Sequence, residues 1–254
     1  MPNVQQTISL SGADLSEQTL EASVARTPPA RSIGALVGHA LREPGRAVSY
    51  GLALTKGYWY RVILRILGRR FRAGARFRVF GRLSVRGPGD VIFGDDVATW
   101  HRVNAWTYSA DARLVVGDNV MMSGTRFACA REIRVGRDSI LADASIYDTD
   151  FHSTRVDRRS PSAPIRVAPV DIGDNVWVAA GAVLLPGTTI GENSVVGAGA
   201  VCMRGFPANK VILGNPAKVA MPIPSIGGSA PVPGATDAID VGDGVAHVYA
   251  AHNT

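Results

Sequence analysis

The residues best suited to chemistry lie in one polar, arginine-rich stretch, YDTDFHSTRVDRRSPSAPIRVAP, over 147–169. His152 stands near its start. An imidazole titrates close to neutrality and can take a proton from a hydroxyl as general base. The plainer alternative is a solvated loop histidine. Asp148 and Asp150 stand just before it. A carboxylate there could fix the ring's tautomer and stabilise the imidazolium, or it could simply cap a turn. Metal chemistry is not expected. Only His101 and His152 fall in the middle of the chain, and Asp148-Thr149-Asp150 lacks the glycine and terminal glutamate of a calcium loop. Cys129 and Cys202 form no CxxC, and small apolar filling is the simpler role for Cys129.

A repeat must position these groups. From Ile172 the chain divides every six residues into IGDNVW, VAAGAV, LLPGTT, IGENSV, VGAGAV and CMRGFP. The first place holds Ile172, Val178, Leu184, Ile190, Val196 and Cys202; the fifth, ending on Phe206, is small or β-branched in five of six. Upstream, VGDNVM, MSGTRF and ACAREI share this phase, a one-residue shift precedes VGRDSI and LADASI, and FGDDVA from Phe93 is a further copy. Period six is neither helical nor simple alternation. It suits a coil of short strands with one apolar residue inward per strand and Gly, Asn or Asp at the turns. Stacked coils bury an aliphatic column, which fits 7% aromatics beside 46% apolar residues. The repeat fails between Tyr147 and Val170, and a long loop thrown out of a regular solenoid is usually functional.

The run IGDNVWVAAGAVLLPGTTIGENSVVGAGAV followed by FPANKVILGNPAKV resembles the hexapeptide-repeat acyltransferases, in the maltose, galactoside and exopolysaccharide O-acetyltransferase branch. The resemblance covers about 76–220. It implies an all-β solenoid, a left-handed parallel β-helix of roughly seven coils, to which the flanking sequence adds an N-terminal α-helix and flexible termini. It further implies a homotrimer with active sites between chains, and direct transfer from acetyl-CoA to a sugar hydroxyl. His152, 25 residues before Trp177, matches the family's general base, Asp150 is the candidate to orient it, and Trp177 matches a cleft residue. Packing alone could also explain Trp177. Asp148 joins the acceptor side. Ala180 and Ala198 match backbone contacts to pantetheine, while Arg204 and Lys218 match basic positions near the nucleotide phosphates. The chain has no GxSxG elbow and no Cys beside a histidine, which agrees with transfer without an acyl-enzyme. An Asp that the sugar acetyltransferases carry one coil earlier is replaced here by Cys129-Ala130, which leaves the acceptor open. A scaffold that kept the fold and lost the chemistry, or an N-acyltransferase, is the alternative.

The flanks divide the remainder into 1–45, polar and poorly ordered; 46–75, a basic helix; and 221–254, a Pro/Gly/Ala-rich tail. Net charge is +6, yet ten basic residues and no acidic one run from Lys56 to Arg86. No nucleic-acid-binding motif accompanies them. The segment 48–70 reads as an amphipathic helix with Leu52, Trp59, Val62, Ile63, Ile66 and Leu67 on one stripe. It could cap the open end of the solenoid, lie on an anionic membrane, or do both. No secretory signal pattern and no stretch of about 18 apolar residues is present, so a cytoplasmic protein is expected, peripheral at the membrane if the helix binds it.

Overall fold

The structure is a computed structural model that describes residues 44–224. The readings of the segment before residue 44 and of the tail from residue 225 lie outside the described residues. A helix, α1 (Pro44–Ile66), precedes 21 short strands, from β1 (Phe71–Ala73) to β21 (Lys218–Pro222). The strands form three sheets of seven, eight and six strands, visited in turn as the chain coils. All pairings are parallel except the last, so the architecture is a parallel solenoid of about seven coils.

The apolar repeat explains this. On the first sheet Phe93, Val116, Val135, Ile172, Ile190 and Phe206 stand in register, each buried. Six residues after each come Thr99, Met122, Leu141, Val178, Val196 and Ile212, the inward column of the second sheet. Val85, Ala105, Phe127, Ile146, Leu184 and Cys202 form the third. A fully buried Val, Leu or Ile contributes about 1.5–3 kcal/mol, and this column is the core.

The corner between first and second sheets explains triplets that end in Asn or Asp and in five of six cases start with Gly. Asp96, Asn119, Asp138, Asn175, Asn193 and Asn209 all have positive φ there, a conformation short polar side chains tolerate best after glycine. Two residues earlier, coils approach closely: a Cβ on Gly191 would stand 2.2 Å from the Ala208 nitrogen. The intervening Asp ties coil to coil, as where the Asp118 carboxylate accepts the Asp95 N–H at 2.7 Å.

Two details differ from the six-residue division. Phe206 pairs with Ile190 on the first sheet, so it takes the place of a first residue, four after Cys202. The upstream slip already occurs at Gly124-Thr125, where five residues separate Met122 from Phe127, and Ala128 faces away from the inward column. In both cases a shortened corner changes the count without disturbing the inward column.

Helix α1 starts with proline in its first turn, where a missing N–H costs nothing. It ends at Ile66, four residues short of the expected segment 48–70, in a Schellman turn: Gly68 has φ +67, its N–H reaches the Arg65 carbonyl, and the Arg69 N–H reaches that of Leu64. The solenoid then begins at Phe71. The helix covers the first coil with Ala53, Gly57 and Leu64. A Cβ on Gly57 would stand 2.1 Å from the Phe77 carbonyl oxygen. Lys56 donates to the Gly81 carbonyl, Arg61 to that of Gly74, and the Leu83 N–H donates to the Tyr60 hydroxyl. The floor of a solenoid is an edge of unpaired backbone groups, so small residues and hydrogen-bonding side chains suit it better than bulky apolar ones. That is why the large stripe points away: Leu52, Trp59, Ile63, Ile66 and Leu67 are exposed. The other end is closed by β21, which folds antiparallel on β20 (Lys210–Leu213). Among the described residues no helix is long and apolar enough to cross a membrane.

Candidate active site

Steps from first to second sheet always take six residues, and the greatest irregularity gathers where the third sheet returns to the first. There, between β12 (Ser145–Tyr147) and β13 (Val170–Ile172), the chain leaves as the loop 148–169. Its root is a short hairpin. Thr149 bridges Val167, the Asp150 N–H donates to the Arg166 carbonyl, and the Ala168 N–H donates to that of Asp148. Arg166 also donates to the Pro186 carbonyl at 2.7 Å, which fastens the root to the next coil.

Asp148 lies wholly buried beneath this root. One carboxylate oxygen accepts the Ala130 N–H at 2.6 Å; the other accepts those of Arg131 and Glu132, each at 2.7 Å. The Cys129 sulfur is 3.6 Å away. This corrects the assignment of Asp148 to acceptor contact: a carboxylate closed off from solvent and bound by three backbone donors has no free face. Of the two readings open in the sequence, the turn cap is the one observed, and the turn belongs to the preceding coil. Burial, with this carboxylate beside it, pushes the Cys129 thiol well above its ordinary range. Burial alone raises Cys202 to about 11. Both are inert fillers rather than nucleophiles.

His152 stands four residues on and is exposed. Thr149 and Ser153 on either side are buried, so the ring projects from an anchored root. The His152 N–H donates to the Asp150 carbonyl at 2.7 Å, across Phe151 at φ +61. Among the described residues no hydrogen bond joins the Asp150 carboxylate to the His152 ring. Phe151 packs edge-on to Tyr108 and Tyr147, with ring centres 5.0 and 6.0 Å apart. These aromatics and Arg166 were missed by sequence reasoning. Tyr147 and Phe151 are close in sequence, but Tyr108 comes from an earlier coil, so spacing alone does not mark this meeting.

Trp177 opens β14 (Trp177–Val178) on the outer face of the second sheet, between Ile140 and Val195, and is 49% exposed. Ala180 and Ala198 are exposed at the corner from second to third sheet and are stacked: the Gly199 N–H donates to the Ala180 carbonyl. A Cβ on Gly199 would meet nothing within 4 Å, so this corner is bare backbone. Lys218 pairs with Leu213 at the top of the same edge. Arg204 is exposed at the other corner, from third to first sheet, with its guanidinium over the Phe206 ring. The structure therefore brings Ala180, Ala198 and Lys218 to one edge. It sets His152, Asp150 and Arg204 on another, with Trp177 on the sheet across from them. Among the described residues no three His, Cys, Asp or Glu side chains cluster to hold a metal ion.

Residues 169–204 match the bacterial transferase hexapeptide (six repeats) family. A putative acetyltransferase of Dictyostelium discoideum is 42% identical over 111 residues, covering 43% of this chain and 57% of that protein. The chain thus spans little more than half of that relative's length. The putative colanic acid biosynthesis acetyltransferase WcaF of Escherichia coli is 29% identical over 161 residues, 63% of this chain and 73% of its own. Among solved structures, AntD, an N-acyltransferase from Bacillus cereus in complex with dTDP and coenzyme A, superposes with a TM-score of 0.53. It covers 64% of this chain and 88% of its own at 14% identity, a likeness of fold. By its repeat and strand register the chain is a parallel solenoid of six-residue units, and it carries the bacterial transferase hexapeptide over residues 169–204.

Proposed function

We propose that the chain is an acetyl-CoA-dependent O-acetyltransferase that acetylates a sugar hydroxyl of a cell-surface glycan precursor or glycolipid, acting inside the cell. The observation that carries this reading is His152: an exposed imidazole on an anchored root, at the one long interruption of the solenoid. The relatives named as acetyltransferases, one of them for colanic acid biosynthesis, support the class, and the coenzyme A in the AntD complex supports the donor.

In this reading His152 takes the proton of the acceptor hydroxyl as its oxygen attacks the thioester carbonyl. Charge gathers on the carbonyl oxygen, where hydrogen-bond donors steady it. The carbon–sulfur bond then breaks, the imidazolium returns its proton to the sulfur, and coenzyme A leaves as the thiol. Asp150 is the carboxylate assigned to orient the ring and Trp177 a wall of the cleft. The bare edge at Ala180 and Ala198 suits a pantetheine chain lying on backbone, and Lys218 and Arg204 suit the phosphates.

One chain holds the base and the pantetheine edge on different corners, so the complete site needs two chains. A homotrimer supplies three such sites with closed symmetry. The test mixes purified protein with acetyl-CoA and a panel of sugars and amino sugars, and follows free coenzyme A. His152→Ala should lower release by about 10²–10⁴-fold. Undiminished release in that variant would overturn the base assignment. No release with any acceptor, together with no acetyl-CoA binding, would favour a β-helical scaffold.

A further inference from the structure

The geometry points to a second working surface: we propose that the outward face of α1 docks the protein on an anionic lipid bilayer. Leu52, Trp59, Ile63 and Ile66 recur at helical spacing on the side opposite Ala53, Gly57 and Leu64, which meet the solenoid. They are bulky and far from covered; Trp59 is 59% and Ile66 75% exposed. A helix that only capped the first coil would carry polar groups on this face.

Charge decides the occupant. No Asp or Glu occurs between Pro44 and Gly89, while Arg65 lies on a flank of the stripe. Arg65 is exposed beside the apolar face, whereas Lys56 turns its amine to the Gly81 carbonyl. At the same end of the solenoid, Arg82 and Arg102 are cross-strand neighbours, both exposed. Like charges opposite one another on a sheet repel, and an anionic surface relieves that. An apolar stripe with an aromatic residue and flanking cations matches the chemistry of the headgroup region: rings at the interface, aliphatics below it, Lys and Arg at lipid phosphates. A second copy of this chain would bring the same cations together, so charge complementarity selects the bilayer. Docking at this end would hold a transferase beside lipid-borne acceptors, but it is independent of the catalytic reading.

The test is co-sedimentation of the full chain with vesicles of phosphatidylcholine alone and of phosphatidylcholine with phosphatidylglycerol, without acetyl-CoA. Binding should appear with the anionic vesicles and fall as salt rises. The Leu52→Ser/Trp59→Ser/Ile63→Ser variant should bind about a hundredfold more weakly. All three side chains are exposed, so its thermal unfolding should match wild type. Arg65→Glu with Arg82→Glu should weaken binding to anionic vesicles alone. Equal, negligible binding of wild type to both vesicles would overturn the proposal. So would a triple variant that binds as wild type does, or self-association in lipid-free solution that the triple variant abolishes.

Discussion

Replacing Asp148 separates a structural carboxylate from a substrate contact. In Asp148→Ala the Ala130, Arg131 and Glu132 N–H groups lose their acceptor in a site closed to solvent. An unsatisfied buried donor costs about 1–3 kcal/mol, and water entering the vacated space recovers part of that. The expected loss is therefore about 4 kcal/mol. Asp148→Asn keeps one acceptor oxygen, which can serve the Arg131 and Glu132 pair, but turns its NH₂ toward Ala130 N–H. Its cost should be about half as large. For a chain of this size 1 kcal/mol moves Tm by about 2–4 °C, so the Ala variant should melt about 8–16 °C lower and Asn midway. Urea titration should show an unchanged m-value and a lower midpoint. If both variants keep wild-type stability, or lose less than about 1 kcal/mol while KM for an acceptor rises, the turn assignment is wrong and acceptor contact is restored.

The other expectations are shorter. Gly191→Ala sets a Cβ 2.2 Å from the Ala208 nitrogen, so the coils must separate; a loss of about 2–4 kcal/mol is expected in denaturant titration, whereas Gly199→Ala, with open space but φ +67, should lose about 1 kcal/mol. Trp177→Ala should cost less than about 1 kcal/mol of stability because the ring is half-exposed, yet lower coenzyme A release if Trp177 walls the cleft. Cys129 and Cys202 should resist a thiol reagent at pH 8 until the chain is unfolded. The Cys202 thiol is raised to about 11, so the folded state holds a proton the unfolded chain releases at lower pH. That contribution to stability is full below about pH 9 and should fall as pH rises toward 11, by denaturant titration at stepped pH.

The solenoid was legible because one inward residue per strand must be apolar, and that demand returns every six residues from Ile172 to Cys202. Phe206 and Ala128 were misplaced for a related reason. Corner lengths vary on the third sheet, and one large residue fits either of two slots when only the count is known. The loop that carries His152 was legible because it interrupts the period. The role of Asp148 was not, because its partners at Ala130, Arg131 and Glu132 lie one coil below, across a corner of irregular length. The apolar stripe of α1 was visible, but its direction was not. A periodic pattern marks a face without saying which face is covered, and here the covered one is built from Ala53, Gly57 and hydrogen-bonding side chains.

The constant six-residue step from first to second sheet has a consequence for how such a chain can change. A residue inserted there would turn the following strand inside out, since neighbouring positions face opposite ways. The third-to-first seam already accommodates four residues from Cys202 to Phe206 and a 22-residue loop between Tyr147 and Val170 with the inward columns intact. Loops of new length and composition can therefore be exchanged at that seam while the barrel-like stack stays in register. A graft would be made at the root held by Thr149, Val167 and Arg166, and would leave the glycine-led corners between first and second sheets untouched.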